Sequence, residues 1–212
     1  MTTRDDLAAW LAIRQSIDWS LGADVRGPVA AQRDGAVHFV TTAMHAQDAT
    51  KAERMLTALT RVRLDARDRL PLTFERLAAW QALVLDCAEP PPFRREPAFA
   101  KGGRERYGVD GETPARLATC LADADTPAIP LAARTARVYL DVLFFHPFAD
   151  GNARSAGLAA EFVLAKANVR LDQVGPLWLV ARYANDRAGA LSLVRLVDVL
   201  IEATRRRQEH AT

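Results

Sequence analysis

The feature that most restricts the fold of this chain is the spacing of its apolar residues, which recur three and four apart almost throughout, with hardly any strict alternation. That period belongs to one face of an α-helix, so the chain reads as all-α. Leu7, Trp10, Leu11, Ile17 and Leu21 share one such face, opened by Thr3 with Asp5 and Asp6 and closed by Gly22. Ala52, Met55, Leu56, Leu59 and Val62 mark a second helix, and Thr73 caps a third that carries Leu77, Trp80 and Val84. Residues 23–48 give no clear pattern.

The segment from Cys87 to Pro114 breaks the helical period with five prolines and with Gly102, Gly103, Gly108 and Gly111. Irregular connections longer than ~12–15 residues in a compact domain are usually functional or disordered, and this one has room for a short hairpin turning at Gly102-Gly103. Thr113 places a capping hydroxyl before Pro114, restarting helix through about Leu121. The run LAARTARVYLDVLFF then forms an apolar helix that ends at His146, and a second helix runs from about Asn152 to Asn168. Helical segments around Leu177–Tyr183 and Leu191–Arg207 follow, and the RRRQEH end reads as a solvated, fraying terminus.

With 212 residues, half of them hydrophobic, the chain is long enough to bury a real core. Its 28 Lys plus Arg against 26 Asp plus Glu give no electrostatic reason to expect a nucleic-acid or acidic-membrane partner. Cys87 and Cys120 lack the spacing of a zinc site or disulfide framework, and there is neither an export signal nor an apolar run of membrane-spanning length. The expectation is a soluble, cytoplasmic protein. His38 and His45 have no carboxylate spaced to make a metal set with them and read as structural, while Trp10, Trp19, Trp80 and Trp178 read as core or partner-facing aromatics.

The chemistry is concentrated between the two apolar helices, where His146-Pro-Phe-Ala-Asp-Gly-Asn-Ala-Arg154 packs an imidazole, a carboxylate, an amide and a guanidinium into nine residues. Gly151 permits a sharp turn, and the helix opened by Asn152 offers free N–H groups and a positive dipole end to an anion. Arg154, within the first turn, adds a fork that grips phosphate. Asp150 supplies the single carboxylate with which Mg²⁺ is commonly held when water and phosphate oxygens complete its shell. His146 is the natural general base near neutral pH. Taken singly, the histidine would be a cap, the Asp-Gly-Asn a turn and the arginine a surface ion-pair partner. Their order and density set them apart.

HPFADGNAR resembles the signature of the Fic family, in which His and Phe are followed by an acidic residue, Gly, Asn and Arg. VYLDVLFF leads into the loop and GLAAEFVLAKAN leaves it as in that family, and FRREPAFAKGGRERYG lies where a target-binding flap is found. The resemblance covers roughly 70–200, leaving 1–69 as an N-terminal helical extension and 201–212 as a charged tail. It implies a Fic-fold helical bundle with a small β-hairpin flap, moving AMP from ATP onto a Ser, Thr or Tyr hydroxyl of a target protein. By position, His146 would be the catalytic base and Asp150 the Mg²⁺ ligand. Gly151, Asn152 and Arg154 would cradle the phosphates of ATP, with Phe148 anchoring the loop.

The common AMP-transferring form of the family has Gly where this chain has Ala153 and a second Arg where it has Gly157. The sequence after the motif is more similar to relatives of the Doc toxin, which phosphorylate their target but carry Lys at the place of Ala153. The alternatives are therefore a Doc-like kinase or other phosphate-group transferase, or a catalytically silent nucleotide- or partner-binding module. No Glu here is followed by Gly or Asn, so the family's inhibitory glutamate motif is missing along with its arginine partner. Restraint would then come from a separate inhibitor or antitoxin protein, from oligomerisation or from scarcity of target. Lys101, Arg104 and Arg106 in the flap either meet substrate or keep an exposed strand soluble.

Overall fold

The computed structural model describes residues 5–22, 25 and 27–210. Along the chain these form α1 (Asp6–Ser16), β1 (Val29–Ala30), α2 (Gly35–Phe39) running into a π-helical turn at Val40–Met44, α3 (Ala49–Arg67) and α4 (Phe74–Leu85). Then come β2 (Ala98–Ala100), β3 (Glu105–Tyr107), α5 (Thr113–Ala122), α6 (Leu131–Phe145) and α7 (Asn152–Lys166). β4 (Val169–Arg170), α8 (Gly175–Leu179) and α9 (Arg187–Glu209) complete the order. The fold is the expected helical bundle with a small antiparallel hairpin, β2 with β3; a second pairing, β1 parallel to β4, was not legible in the sequence.

Helix starts follow the chemistry of short polar side chains, with shifts in detail. Asp5 caps α1 by accepting from the N–H groups of Leu7 and Ala8, while Thr3 lies outside the described residues. That helix stops at Ser16, well before Gly22, because Ile17 turns to extended backbone. Thr73 caps α4 as expected, its hydroxyl accepting from the Arg76 N–H at 3.3 Å. Thr113 does not cap α5 but is its first residue, since its hydroxyl is engaged backwards: it accepts from the Asp110 N–H and donates to the Asp110 carboxylate. α8 is a single short turn rather than a helix to Tyr183, and α9 continues through Glu209 with Ile201 and Thr204 buried. The stretch set apart at 201–212 thus begins inside a packed helix.

α6 and α7 are the buried axis of the bundle, with α3 and α4 against α7 and with α1, α5 and α9 against α6. Ala132, Ala133, Ala136, Ala156, Ala159 and Ala160 are all fully buried, and such small residues let helix axes approach closely. Two buried acids tie the first 69 residues to this axis. Asp141 on α6 accepts from the Trp10 indole at 3.0 Å and from Arg14 at 2.8 Å. Glu161 on α7 pairs with Arg63 of α3, which also donates to Asp34 at 2.6 Å. Burial pushes both carboxyls up, and their arginine partners oppose that push. Removing one member of such a pair strands a buried charge and typically costs ~3–5 kcal/mol. Among the described residues no helix is long and apolar enough to cross a membrane.

Candidate active site

His146 sits where α6 ends. It takes the left-handed conformation, φ 49° and ψ 54°, and its N–H donates back to the Val142 carbonyl, so the helix closes on a residue type that seldom accepts this geometry. Its Nδ1 lies 3.1 Å from the Leu143 carbonyl. A carbonyl only accepts, so Nδ1 carries the proton and Nε2 keeps its lone pair. The ring is half-buried and stacks on Tyr107 with centroids 5.0 Å apart. Burial lowers the imidazole pKa below its ordinary value, against the opposing pull of the Leu143 bond. The result is a neutral, oriented imidazole.

The loop that follows is wired by its own residues and by α4. Phe148 is fully buried against Phe74, ring centroids 5.6 Å apart. The Asn152 side chain accepts from the Phe148 N–H at 2.9 Å and donates to the Phe148 carbonyl at 2.8 Å. Its amide is therefore spent on shaping the loop, and what Asn152 offers to an anion is its backbone N–H. Gly151 has φ 77°, and a Cβ there would lie 2.4 Å from Gln81 Nε2. Gln81, fully buried on α4, donates to the Asp150 carbonyl at 2.6 Å and accepts from the Ser155 hydroxyl. The first helical bond of α7 runs from the Ser155 N–H to the Gly151 carbonyl. The N–H groups of Asn152, Ala153 and Arg154 find no acceptor among the described residues, which is the ordinary state of a helix start and an arrangement that suits an anion.

Asp150 and Arg154 complete the constellation. The Asp150 side chain is 77% exposed, with Arg154 at 3.5 Å, so its outer oxygen is open to solvent. Arg154 is held by the Val84 carbonyl at 3.4 Å and is mostly buried along its stem. No group of three or more His, Cys, Asp or Glu able to hold a metal occurs among the described residues. One exposed carboxylate beside an anion site fits a hard cation that brings phosphate and water ligands with it, and fits no all-protein cage. All five residues singled out from the sequence, His146, Asp150, Gly151, Asn152 and Arg154, therefore meet at one loop.

Residues 71–164 match the model of the Fic/DOC family. Those residues make up a Fic domain. Its fold is similar to a Fic-domain-containing signaling protein from Bacteroides thetaiotaomicron, at 19% identity and TM-score 0.56, covering 74% of this chain and 69% of that one. Fic-1 from C. elegans aligns at 16% identity and TM-score 0.59 over 97% of this chain and 71% of its own. A histidine-to-alanine variant of IbpAFic2, solved in complex with adenylylated Cdc42, aligns at 13% and TM-score 0.57 over 93% and 70%. At such identities the likeness is one of fold. No curated protein matches the chain.

Two features of this Fic domain were hidden in the sequence. Arg94 holds flap and loop together: its Nε donates to the His146 carbonyl at 2.8 Å and its Nη2 to the Gly108 carbonyl at 2.7 Å. Its own N–H reaches the Pro147 carbonyl at 2.9 Å. In the sequence it was one of two adjacent arginines in an irregular stretch, with no pattern to single it out. The second feature concerns Gly157. A Cβ there would lie 3.1 Å from the Trp178 indole, so the space where a side chain would begin is filled by an aromatic ring. Around it Phe39, Met44, Met55, Trp178 and Leu179 line a cavity of about 150 Å³ beside Ala153, with Arg154 its one charged wall residue.

The flap is tied down from behind and open in front. Lys101, Gly102 and Gly103 all have positive φ and make the turn. Buried Glu105 accepts from Lys101 at 2.7 Å, from the Tyr107 hydroxyl and from the Ala184 N–H. Burial pushes the Glu105 carboxyl up, but these bonds outweigh it and hold it below the ordinary range. Lys101 also caps the Arg182 carbonyl and lies 3.9 Å over the Tyr183 ring, so it anchors the flap. The Arg106 N–H is taken by Asp6 at 2.9 Å. In an antiparallel pair opposite residues point their backbone groups the same way, both inward or both outward. Phe99, opposite Arg106, therefore presents its N–H and C=O on the outer edge of β2, and its side chain is 62% exposed.

Proposed function

We propose that this Fic domain transfers AMP from ATP to a Ser, Thr or Tyr hydroxyl of a target protein. The observation that carries the reading is the fixed tautomer of His146, whose bare Nε2 stands at the end of α6 while the unpaired N–H groups of α7 begin six residues on. The acceptor hydroxyl gives its proton to Nε2 as its oxygen forms the bond to the α-phosphorus, and pyrophosphate leaves. Arg154 and the N–H groups at the head of α7 stabilise the charge that builds on the phosphate oxygens. A divalent cation on Asp150 would neutralise further phosphate charge. The outer edge of β2 pairs with an extended target segment and sets its register, the side-chain-tolerant mode suited to a flexible loop. The adenylylated partner of IbpAFic2 supports the choice of AMP and of a protein acceptor.

A second reading, transfer of the γ-phosphoryl or of another phosphate-linked group, draws on the cavity at Gly157. Its apolar wall would receive a terminal phosphate poorly and an uncharged ring well. The Ala153 methyl group, in place of a cation, favours the first reading. ATP labelled at the α- or at the γ-phosphate, with and without Mg²⁺, separates them. Mg²⁺-dependent transfer of the α-label to protein is expected, and transfer of the γ-label would replace AMP by phosphate.

A further inference from the structure

We propose that the clefts at the C-terminal ends of α3 and α7 form a second ligand site, for a small molecule carrying two or more phosphate groups, gripped by Arg69 and Arg134. It lies away from the catalytic loop. Lys166, which lines it, is fourteen residues beyond Asn152 on α7, a rise of about 21 Å.

Two arginines near these helix ends keep guanidinium nitrogens unpaired. Arg69 follows the end of α3 in the left-handed conformation, φ 53°, a place where glycine or asparagine is the usual occupant and where a Cβ is strained. Its side chain is exposed and has no hydrogen bond or ion pair among the described residues. Arg134, on α6, donates through Nη1 to the Ala124 carbonyl at 3.2 Å, but its Nε is buried with no partner. A buried donor left unpaired is rare in native proteins, and the grip on a ligand would come from the guanidinium nitrogens that are not covered. Both arginines line one cavity of about 290 Å³ together with Lys166 and Asp125.

That cavity shares Arg69 and Lys166 with an adjoining cleft of about 670 Å³, to which Arg67 and Arg170 add their guanidinium groups. The acids nearby are already committed. Glu161 and Asp34 bind Arg63, and Asp125 binds Lys166 at 2.8 Å. Arg67 and Arg170 reach their nearest carboxylates only at 3.5 and 3.7 Å. The simplest structural role for cations here is to meet backbone carbonyls, as Lys166 does with that of Leu70, just beyond α3, at 3.0 Å. Arg69 meets none, and that distinguishes it. Planar guanidinium forks suit phosphate, cations spread over two joined cavities suit more than one phosphate, and the combined volume is that of a nucleotide-sized ligand.

The test is calorimetric titration of the full chain with tripolyphosphate, ATP and inorganic phosphate. Tripolyphosphate should bind at two sites in the wild type. Arg154→Ala should remove one and leave the other, while Arg69→Gly and, separately, Arg134→Met should remove the one that Arg154→Ala leaves. Arg69→Gly relieves the backbone, so it should raise Tm by about 2–4 °C while abolishing the site, which guards against loss by misfolding. Inorganic phosphate should bind there at least about tenfold more weakly, as a single anion makes fewer contacts. Competition by ATP for the Arg69 site would point to a nucleotide, and failure to compete to a free polyphosphate. Binding unchanged in both Arg69→Gly and Arg134→Met, a single site lost with Arg154→Ala, or equal affinity for inorganic phosphate would overturn the proposal.

Discussion

The loop from His146 to Arg154 and the flap from Ala98 to Tyr107 face the same chemistry but are built on opposite plans. The loop is fixed by side-chain bonds from within and from the helices beside it: Asn152 on Phe148, Gln81 of α4 on Asp150 and Ser155, and the imidazole on Leu143 of α6. What remains open are backbone N–H groups, one ring nitrogen and the exposed Asp150 carboxylate. The flap instead is fastened along its rear by Glu105, Lys101 and Asp6 and leaves a whole backbone edge free at Phe99. A preorganised loop suits a reaction whose geometry cannot vary, and an open edge suits an acceptor whose sequence can.

The largest break in that contrast is Gly151→Ala. It combines positive φ with a collision at Gln81, and displacement of the loop by an ångström is expected to cost about 10²-fold in kcat or more. Circular dichroism that stays helical would show that the bundle survives. Next is Phe99→Pro, which removes the outward N–H of β2. Modification of the protein acceptor should fall by about 5- to 100-fold, the worth of one or two main-chain hydrogen bonds, with ATP affinity unchanged. Loss of ATP affinity would mean that the flap serves the nucleotide instead. Gln81→Ala should lower stability by about 1–3 kcal/mol, read from urea unfolding, because it strips partners from Asp150 and Ser155.

The smallest effect is in pH. Burial lowers the His146 pKa, so the acid limb of kcat/KM should fall below the ~6.5 of free imidazole. The unfolded chain holds that proton more tightly than the folded one. The contribution of His146 to stability is therefore complete above ~6.5 and is lost as pH falls through the folded value. An acid limb above 6.5 would contradict the buried-base description.

Much of the fold and the core of the site could be read from the sequence, for physical reasons that also explain the gaps. Helical period exposed α6 and α7, and the hairpin followed from Gly102-Gly103. The residues of 146–154 stood out because they adjoin in sequence. Gln81 and Arg94 act through backbone carbonyls 69 and 52 positions away, and no local pattern reports such a bond. The side-chain bonds of Asn152 to Phe148 were not legible for a related reason: a side-chain amide that serves its own loop and one that serves a ligand look alike in sequence. Residues 23–48 stayed unread because β1 pairs with a strand more than a hundred residues later and α2 is only five residues long.

The account rests on His146 acting as a base within a loop that is already formed without it. The most direct measurement follows α-labelled ATP transfer by His146→Ala and wild type, with ATP affinity determined on the same preparations. Turnover should fall by at least ~10²–10⁴-fold while the affinity for ATP stays within a few-fold of wild type. Undiminished transfer by His146→Ala would contradict the account.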